Sequence, residues 1–152
     1  MENTIINQKV AEIEIVYRNK VKASDRVKIS RSNDCFELLK SFWGDKLDYC
    51  EQFYLLLLNR SNIVLGISKI SEGGVSGTAV DPKRIFQAAL KANASHILLA
   101  HNHPSGNLTP SEADRKLTRK IKDAGNLLDI DVLDHLIITS DGYYSFADQG
   151  EI

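Results

Sequence analysis

From Val10 to Arg18 the chain reads VAEIEIVYR, setting Ala11, Ile13, Ile15 and Tyr17 against Glu12, Glu14, Val16 and Arg18. That period of two predicts a half-buried strand. Arg18 to Arg31 carries Arg18, Lys20, Lys22, Arg26, Lys28 and Arg31 against Asp25 alone, the pattern of a basic, exposed connection or hairpin. Behind Ser32-Asn33-Asp34, which supplies N-capping groups, Phe36, Leu38, Leu39 and Trp43 recur at helical spacing and predict a helix ending near Gly44. Residues 51–60, EQFYLLLLNR, are too continuously apolar to alternate, as in a strand buried on both faces. Residues 61–70 follow as its partner across the turn Arg60-Ser61-Asn62, and together they predict a central hairpin.

The second half alternates helix and strand signals. Residues 71–80 hold Gly73, Gly74 and Gly77, without the spacing or the lysine of a phosphate-binding loop. Asp81-Pro82 starts a helix whose apolar face is Ile85, Phe86, Ala89 and Leu90. Residues 95–100, SHILLA, predict a short buried strand, and Thr109-Pro110-Ser111-Glu112 reads as a capping box for a helix running to about Gly125. Segments 127–140 and 143–147 are β-rich and joined by Asp141-Gly142, a hairpin signal. This order predicts an α/β (α+β) layer architecture with a mixed sheet that is not doubly wound.

Bulk properties narrow the function classes. The 152 residues suit one core, and 43% hydrophobic with 26% charged residues is the composition of a folded globular protein. A net charge of −1 gives no general case for nucleic acid or an anionic membrane. The start MENTIINQKV lacks a charged region followed by an apolar stretch, and no run approaches the roughly 18 apolar residues of a membrane span. With Cys35 and Cys50 too far apart for a CxxC motif, the expectation is a cytoplasmic protein with free, core-filling thiols and no membrane partner.

The candidate chemistry lies in HNHPSGNLTPSEAD, residues 101–114. On an extended backbone, residues i and i+2 face the same side about 6.6 Å apart, so His101 and His103 can converge on one ion while Asn102 faces away. A helix folding back after Thr109 brings Asp114 to them from another direction. Two imidazoles and a carboxylate suit Zn²⁺ and leave a position open for water, which a neighbouring carboxylate can deprotonate. Glu51, opening the most apolar segment, and Glu72, on the glycine loop, compete for that part. Ser111 can support an oxyanion or serve only to start the helix. Asp134-His135 reads as a buried, satisfied pair or as outer support for a ligand, and His96 as structural.

His101-Asn-His103-Pro104, six intervening residues and Ser111-Glu-Ala-Asp114, with a glutamate upstream, resemble the signature of the JAMM (MPN/JAB) metalloproteases. AHNHPSG, PSEAD, VDPKRIFQAALKANASHILLAHNHPSG, LDHLIIT and YYSFADQG are similar to the RadC branch of that family, from about Cys50 to the C-terminus. The resemblance implies an MPN/JAB-like (cytidine-deaminase-like) curved mixed β-sheet flanked by helices. It implies His101, His103 and Asp114 as Zn²⁺ ligands, Glu51 as general base in preference to Glu72, and Ser111 as a supporting hydroxyl. Residues 50–152 would form the RadC-like JAB/MPN domain, with 1–49 contributing a strand, the basic connection and a helix to the same core. RadC proteins often carry an N-terminal helix-hairpin-helix region associated with DNA, and the first fifty residues here are too short and strand-like to hold it.

The leading expectation is therefore a zinc-dependent hydrolase, a metallopeptidase or isopeptidase acting on a protein or peptide substrate. Two alternatives stand beside it. One is a nucleic-acid-associated accessory protein, with residues 18–31 and Arg115, Lys116, Arg119, Lys120 and Lys122 as its basic surface. The other is a zinc-binding scaffold without turnover.

Overall fold

Phe53 to Leu58 offers large apolar side chains to both sides of a strand, and burying them requires a layer of structure on each face of a sheet. A computed structural model of the chain, describing residues 10–73 and 79–152, has that arrangement. The elements are α1 (Ser32–Trp43), β1 (Gln52–Leu58), β2 (Val64–Glu72), α2 (Pro82–Lys91), β3 (His96–Asn102), α3 (Glu112–Leu127), β4 (Asp131–Ile138) and β5 (Tyr143–Ser145). The sheet runs β2-β1-β3-β4-β5 and is antiparallel except for the β3–β4 pair, where α3 makes the crossover. It is the mixed α/β architecture expected.

Alternation along the strands sorts the core into two layers. Phe53, Leu55, Leu57, Ile97 and Leu99 face α2 and α3, meeting Ile85, Phe86, Ala89 and Ile121. Leu56, Leu58, Leu98, Ala100, Leu136 and Ile138 face α1, meeting Cys35, Phe36, Leu39 and Trp43. Each helix begins where its sequence allows. The Asp34 carboxylate, in the first turn of α1, accepts from the Ser30 and Arg31 amides, and Asp81 accepts from the Lys83 amide ahead of Pro82.

Several expectations are corrected. Residues 10–18 pair with no strand among the described residues, and Val10, Ile13 and Ile15 are exposed: alternation marks a segment able to form a strand, but the ladder needs a partner. The hairpin expected over residues 51–70 is not central. Of its two strands, β2 forms an edge of the sheet and β1 has neighbours on both sides. Leu90 is turned to solvent, leaving Ile85, Phe86 and Ala89 as the buried stripe of α2. Cys35 fills the core and Cys50 does not; both are free. Gly74 and Gly77, like the first nine residues, lie outside the described segments.

Candidate metal centre

β3 is the second central strand, and it ends at the site. His101 is its penultimate residue, 2% exposed on the α2/α3 face; His103 follows just beyond, its amide still donating to the Ile138 carbonyl at 3.1 Å. That bond prolongs the extended run far enough to leave both imidazoles on one side. The turn after Pro104 closes with the Gly106 amide on the His103 carbonyl, at a φ of 83° that only glycine adopts freely. It returns the Asn107 carbonyl to His103, whose Nδ1 lies 2.6 Å from it. A carbonyl can only accept, so His103 donates from Nδ1, and its neutral ring presents an Nε2 lone pair to the site.

Asp114 arrives from α3. The cap of this helix is Ser111, not Thr109: the Ser111 hydroxyl accepts from the Asp114 amide at 3.0 Å, and the Asp114 carboxylate accepts from the Ser111 amide at 2.8 Å. The capping box sits two residues later than expected: of the two overlapping signals, Thr109 with Glu112 and Ser111 with Asp114, the second is the one formed. The reciprocal bonds fix the Asp114 side chain at the mouth of the helix. Its Oδ1 is 3.3 Å from His101 Nε2, its Oδ2 is 3.6 Å from His103 Nε2, and the two Nε2 atoms are 3.0 Å apart.

These separations answer whether a metal fits. A tetrahedral ion with ligands at about 2.0–2.1 Å has ligand-to-ligand edges of about 3.3 Å, and the two Nε2 atoms, with Asp114 turning a different oxygen toward each, lie near that spacing. The His101–His103–Asp114 cluster can therefore bind a metal ion. The local charges favour a cation. Burial pushes the Asp114 carboxyl up, but the neighbouring imidazoles of His101 and His103 hold it well below the usual carboxylate range. Asp114 in turn raises His103, against the opposing effect of its burial.

Glu51 lies just before β1, half-buried and outside this cluster. Phe53 is paired with His101, and the register continued two residues further sets Glu51 beside His103, where its charge contributes to raising that imidazole. Asn102, between the two histidines, is a buried tether whose role sequence reasoning passed over. Its side chain crosses to the other face of the sheet, accepting from the Gln52 amide at 2.7 Å and donating to the Cys50 and Leu47 carbonyls at 2.8 Å each. It thereby tethers the backbone on both sides of Glu51.

Glu72 is drawn elsewhere. Bonds from Lys69, Gln52 and Lys46 hold its carboxyl down to about 2. Asp134 and His135, adjacent in sequence, serve opposite faces of β4. Asp134 accepts from Ser145, Ala147 and His135, binding the C-terminal turn to the sheet. His135 lies against the site, with Nε2 2.8 Å from His101 Nδ1. His96 is bonded to Asn62, a structural contact. On α3, Arg115 is engaged by Glu151, which subtracts one charge from the basic flank read in the sequence.

The model of the RadC-like JAB domain matches residues 29–151. Among proteins of known sequence, the chain is 47% identical over 123 residues to a UPF0758 protein of Flavobacterium johnsoniae, covering 81% of this chain and 53% of the relative. It is 37% identical over 127 residues to UPF0758 protein SH1266 of Staphylococcus haemolyticus, covering 84% and 55%. With a UPF0758 protein of Chlorobium phaeovibrioides the identity is 33% over 145 residues, covering 95% and 64%. The chain thus spans little more than half the length of these relatives. With a five-stranded mixed sheet and three α-helices among its described residues, and a His-His-Asp cluster where β3 meets α3, the chain belongs to the RadC-like JAB domain family.

Proposed function

We propose that this protein is a zinc-dependent hydrolase of the JAMM type, cleaving peptide or isopeptide bonds in a protein or peptide substrate. The observation that carries the reading is the convergence of His101 Nε2, His103 Nε2 and the Asp114 carboxylate within reach of one ion, beside a glutamate whose backbone is tethered on both sides. Two imidazoles and one carboxylate favour Zn²⁺, and three protein ligands leave a coordination position for chemistry.

His101, His103 and Asp114 would hold the ion, which when bound supplies Lewis acidity toward a carbonyl and toward water. The protein's own groups do the rest. Glu51 takes a proton from the attacking water onto its carboxylate and passes it to the departing amine nitrogen, so that bond breaking releases a neutral leaving group. Ser111 accepts from the Asp114 amide and keeps its own hydroxyl proton for the developing oxyanion. Glu72, with its carboxyl held down at about 2 by two lysines and Gln52, is a poor base near neutral pH.

The test is cleavage of a defined mixture of linear and isopeptide-linked peptides, with new termini identified by mass spectrometry. Chelation should abolish cleavage and Zn²⁺ restore it, while Glu51→Gln should lower it at least about 100-fold, within the range for a general base, with the zinc content unchanged. Cleavage that survives chelation or Glu51→Gln would contradict the mechanism. A zinc-loaded wild type that cleaves nothing would point to a scaffold without turnover.

A further inference from the structure

His135 is wholly buried in a protein whose proposed chemistry does not use it, and it connects two parts of the site. Its Nε2 lies 2.8 Å from His101 Nδ1, and its Nδ1 lies 2.7 Å from the Thr118 hydroxyl. That hydroxyl is 2.7 Å from the backbone carbonyl of Asp114, one helical turn earlier. The four groups form an unbroken chain from the main chain of one candidate ligand to the ring of another.

The chain has a direction. A carbonyl oxygen can only accept, and a threonine hydroxyl has one proton; Thr118 gives that proton to Asp114, the usual back-bond of a helical threonine. Its oxygen is then left to accept from His135 Nδ1. The His135 ring has no solvent exposure and is enclosed by Phe53 and Phe146, surroundings that favour the uncharged imidazole. Neutral and protonated on Nδ1, it has a bare Nε2, which accepts from His101 Nδ1. His101 must therefore carry its proton on Nδ1, and the lone pair of its Nε2 is turned toward His103 and Asp114.

We infer that Thr118 and His135 are positioning residues that lock His101 in the Nδ1-protonated tautomer, so that its Nε2 is presented as a ligand. The surroundings suit the task. Phe53 stacks on His101 with ring centroids 6.0 Å apart, and Phe146 stacks on His135 at 4.9 Å, enclosing the relay in apolar rings. In such a setting each hydrogen bond is strong and its loss is not made good by solvent. The arrangement also couples the two ligands: the helical turn that orients Asp114 ends in the hydroxyl that sets the tautomer of His101.

The inference rests on the metal-site reading, and the experiment separates the two. Nitrogen-15 spectra of the imidazoles in the metal-free protein report which nitrogen of His101 and of His135 is protonated, whether or not any metal binds. Protons on Nδ1 of both rings are expected; a proton on His135 Nε2 would reverse the relay and overturn the proposal. Zn²⁺ affinity is then measured by competition with a chromophoric chelator for wild type, Thr118→Val, Thr118→Ser and His135→Phe. Loss of the relay should weaken binding by about 10–100-fold in Thr118→Val and in His135→Phe, with recovery in Thr118→Ser. Thermal melts accompany each variant, and Thr118→Val, close in shape to the wild type, keeps the test sound if His135→Phe does not fold. Equal affinity in a folded Thr118→Val would overturn the relay. A wild type with the expected tautomers and no measurable zinc affinity would leave the relay standing and remove the hydrolase reading.

Discussion

Ser111 illustrates how one side chain serves structure and site together. As the N-cap of α3 it closes the helix end, and through the reciprocal bond it orients Asp114. Ser111→Ala should cost about 1 kcal/mol in chemical denaturation, the usual loss for a removed cap, and should weaken metal binding as well. Ser111→Thr, which keeps the cap, should recover both. Asn102 makes a stronger claim on stability, because removing its amide leaves the Gln52 amide and the Leu47 and Cys50 carbonyls without that partner. Asn102→Ala should therefore destabilise by about 1–3 kcal/mol for each group left unsatisfied in the interior. The three candidate ligands could be read from the chain because two lie at strand spacing and the third at a helix start. Asn102 and Thr118 could not, since a polar residue facing into the core has no periodic signature. The only hint of Asn102 was its place between the two histidines.

At the level of the elements, α3 joins the cluster to the sheet, and its C-terminal end is fixed by a close approach. A Cβ on Gly125 would stand 2.3 Å from the Ile130 carbonyl oxygen, which is backbone and cannot swing aside. Gly125→Ala should destabilise by about 1–3 kcal/mol, as overpacking does, and shift the start of β4, seen as a lowered unfolding midpoint. The start of α1 gives a pH test. Hydrogen bonds from the Ser30 and Arg31 amides hold the Asp34 carboxyl below its ordinary value. A depressed carboxylate contributes stability above its unfolded pKa, and that contribution is lost as pH falls through the folded one. The gap in melting temperature between wild type and Asp34→Ala should therefore narrow on going from pH 7 into the acid range; a constant gap would contradict the bond. Most elements were legible because buried helices and strands carry their periods in the sequence. The segment 10–18 misled because alternation describes what a strand would bury without supplying the neighbour it must pair with. The two-residue displacement of the α3 cap reflects two overlapping cap signals, Thr109 with Glu112 and Ser111 with Asp114, of which only the second is realised.

Across the whole molecule, the sheet divides the labour between its faces. The α1 face is apolar packing closed by the Asp134 network, while the α2/α3 face carries, at the ends of β3 and α3, the His-His-Asp cluster. No helix among the described residues is long and apolar enough to cross a membrane. The chain spans little more than half of relatives such as the Flavobacterium protein. Ligands drawn from a strand end and a helix start bring distant parts of the chain together, and an ion bound there should stabilise the fold in proportion to its excess over the dissociation constant. At 100-fold excess the gain is about 2.7 kcal/mol. The most direct measurement is metal content and coordination: elemental analysis and zinc-edge X-ray absorption on protein equilibrated with zinc and freed of excess, beside His103→Ala. The account predicts one zinc per chain in a shell of two imidazole nitrogens and light oxygen ligands, lost in the variant. Wild type that retains no more zinc than His103→Ala, or a zinc shell without imidazole, would contradict it.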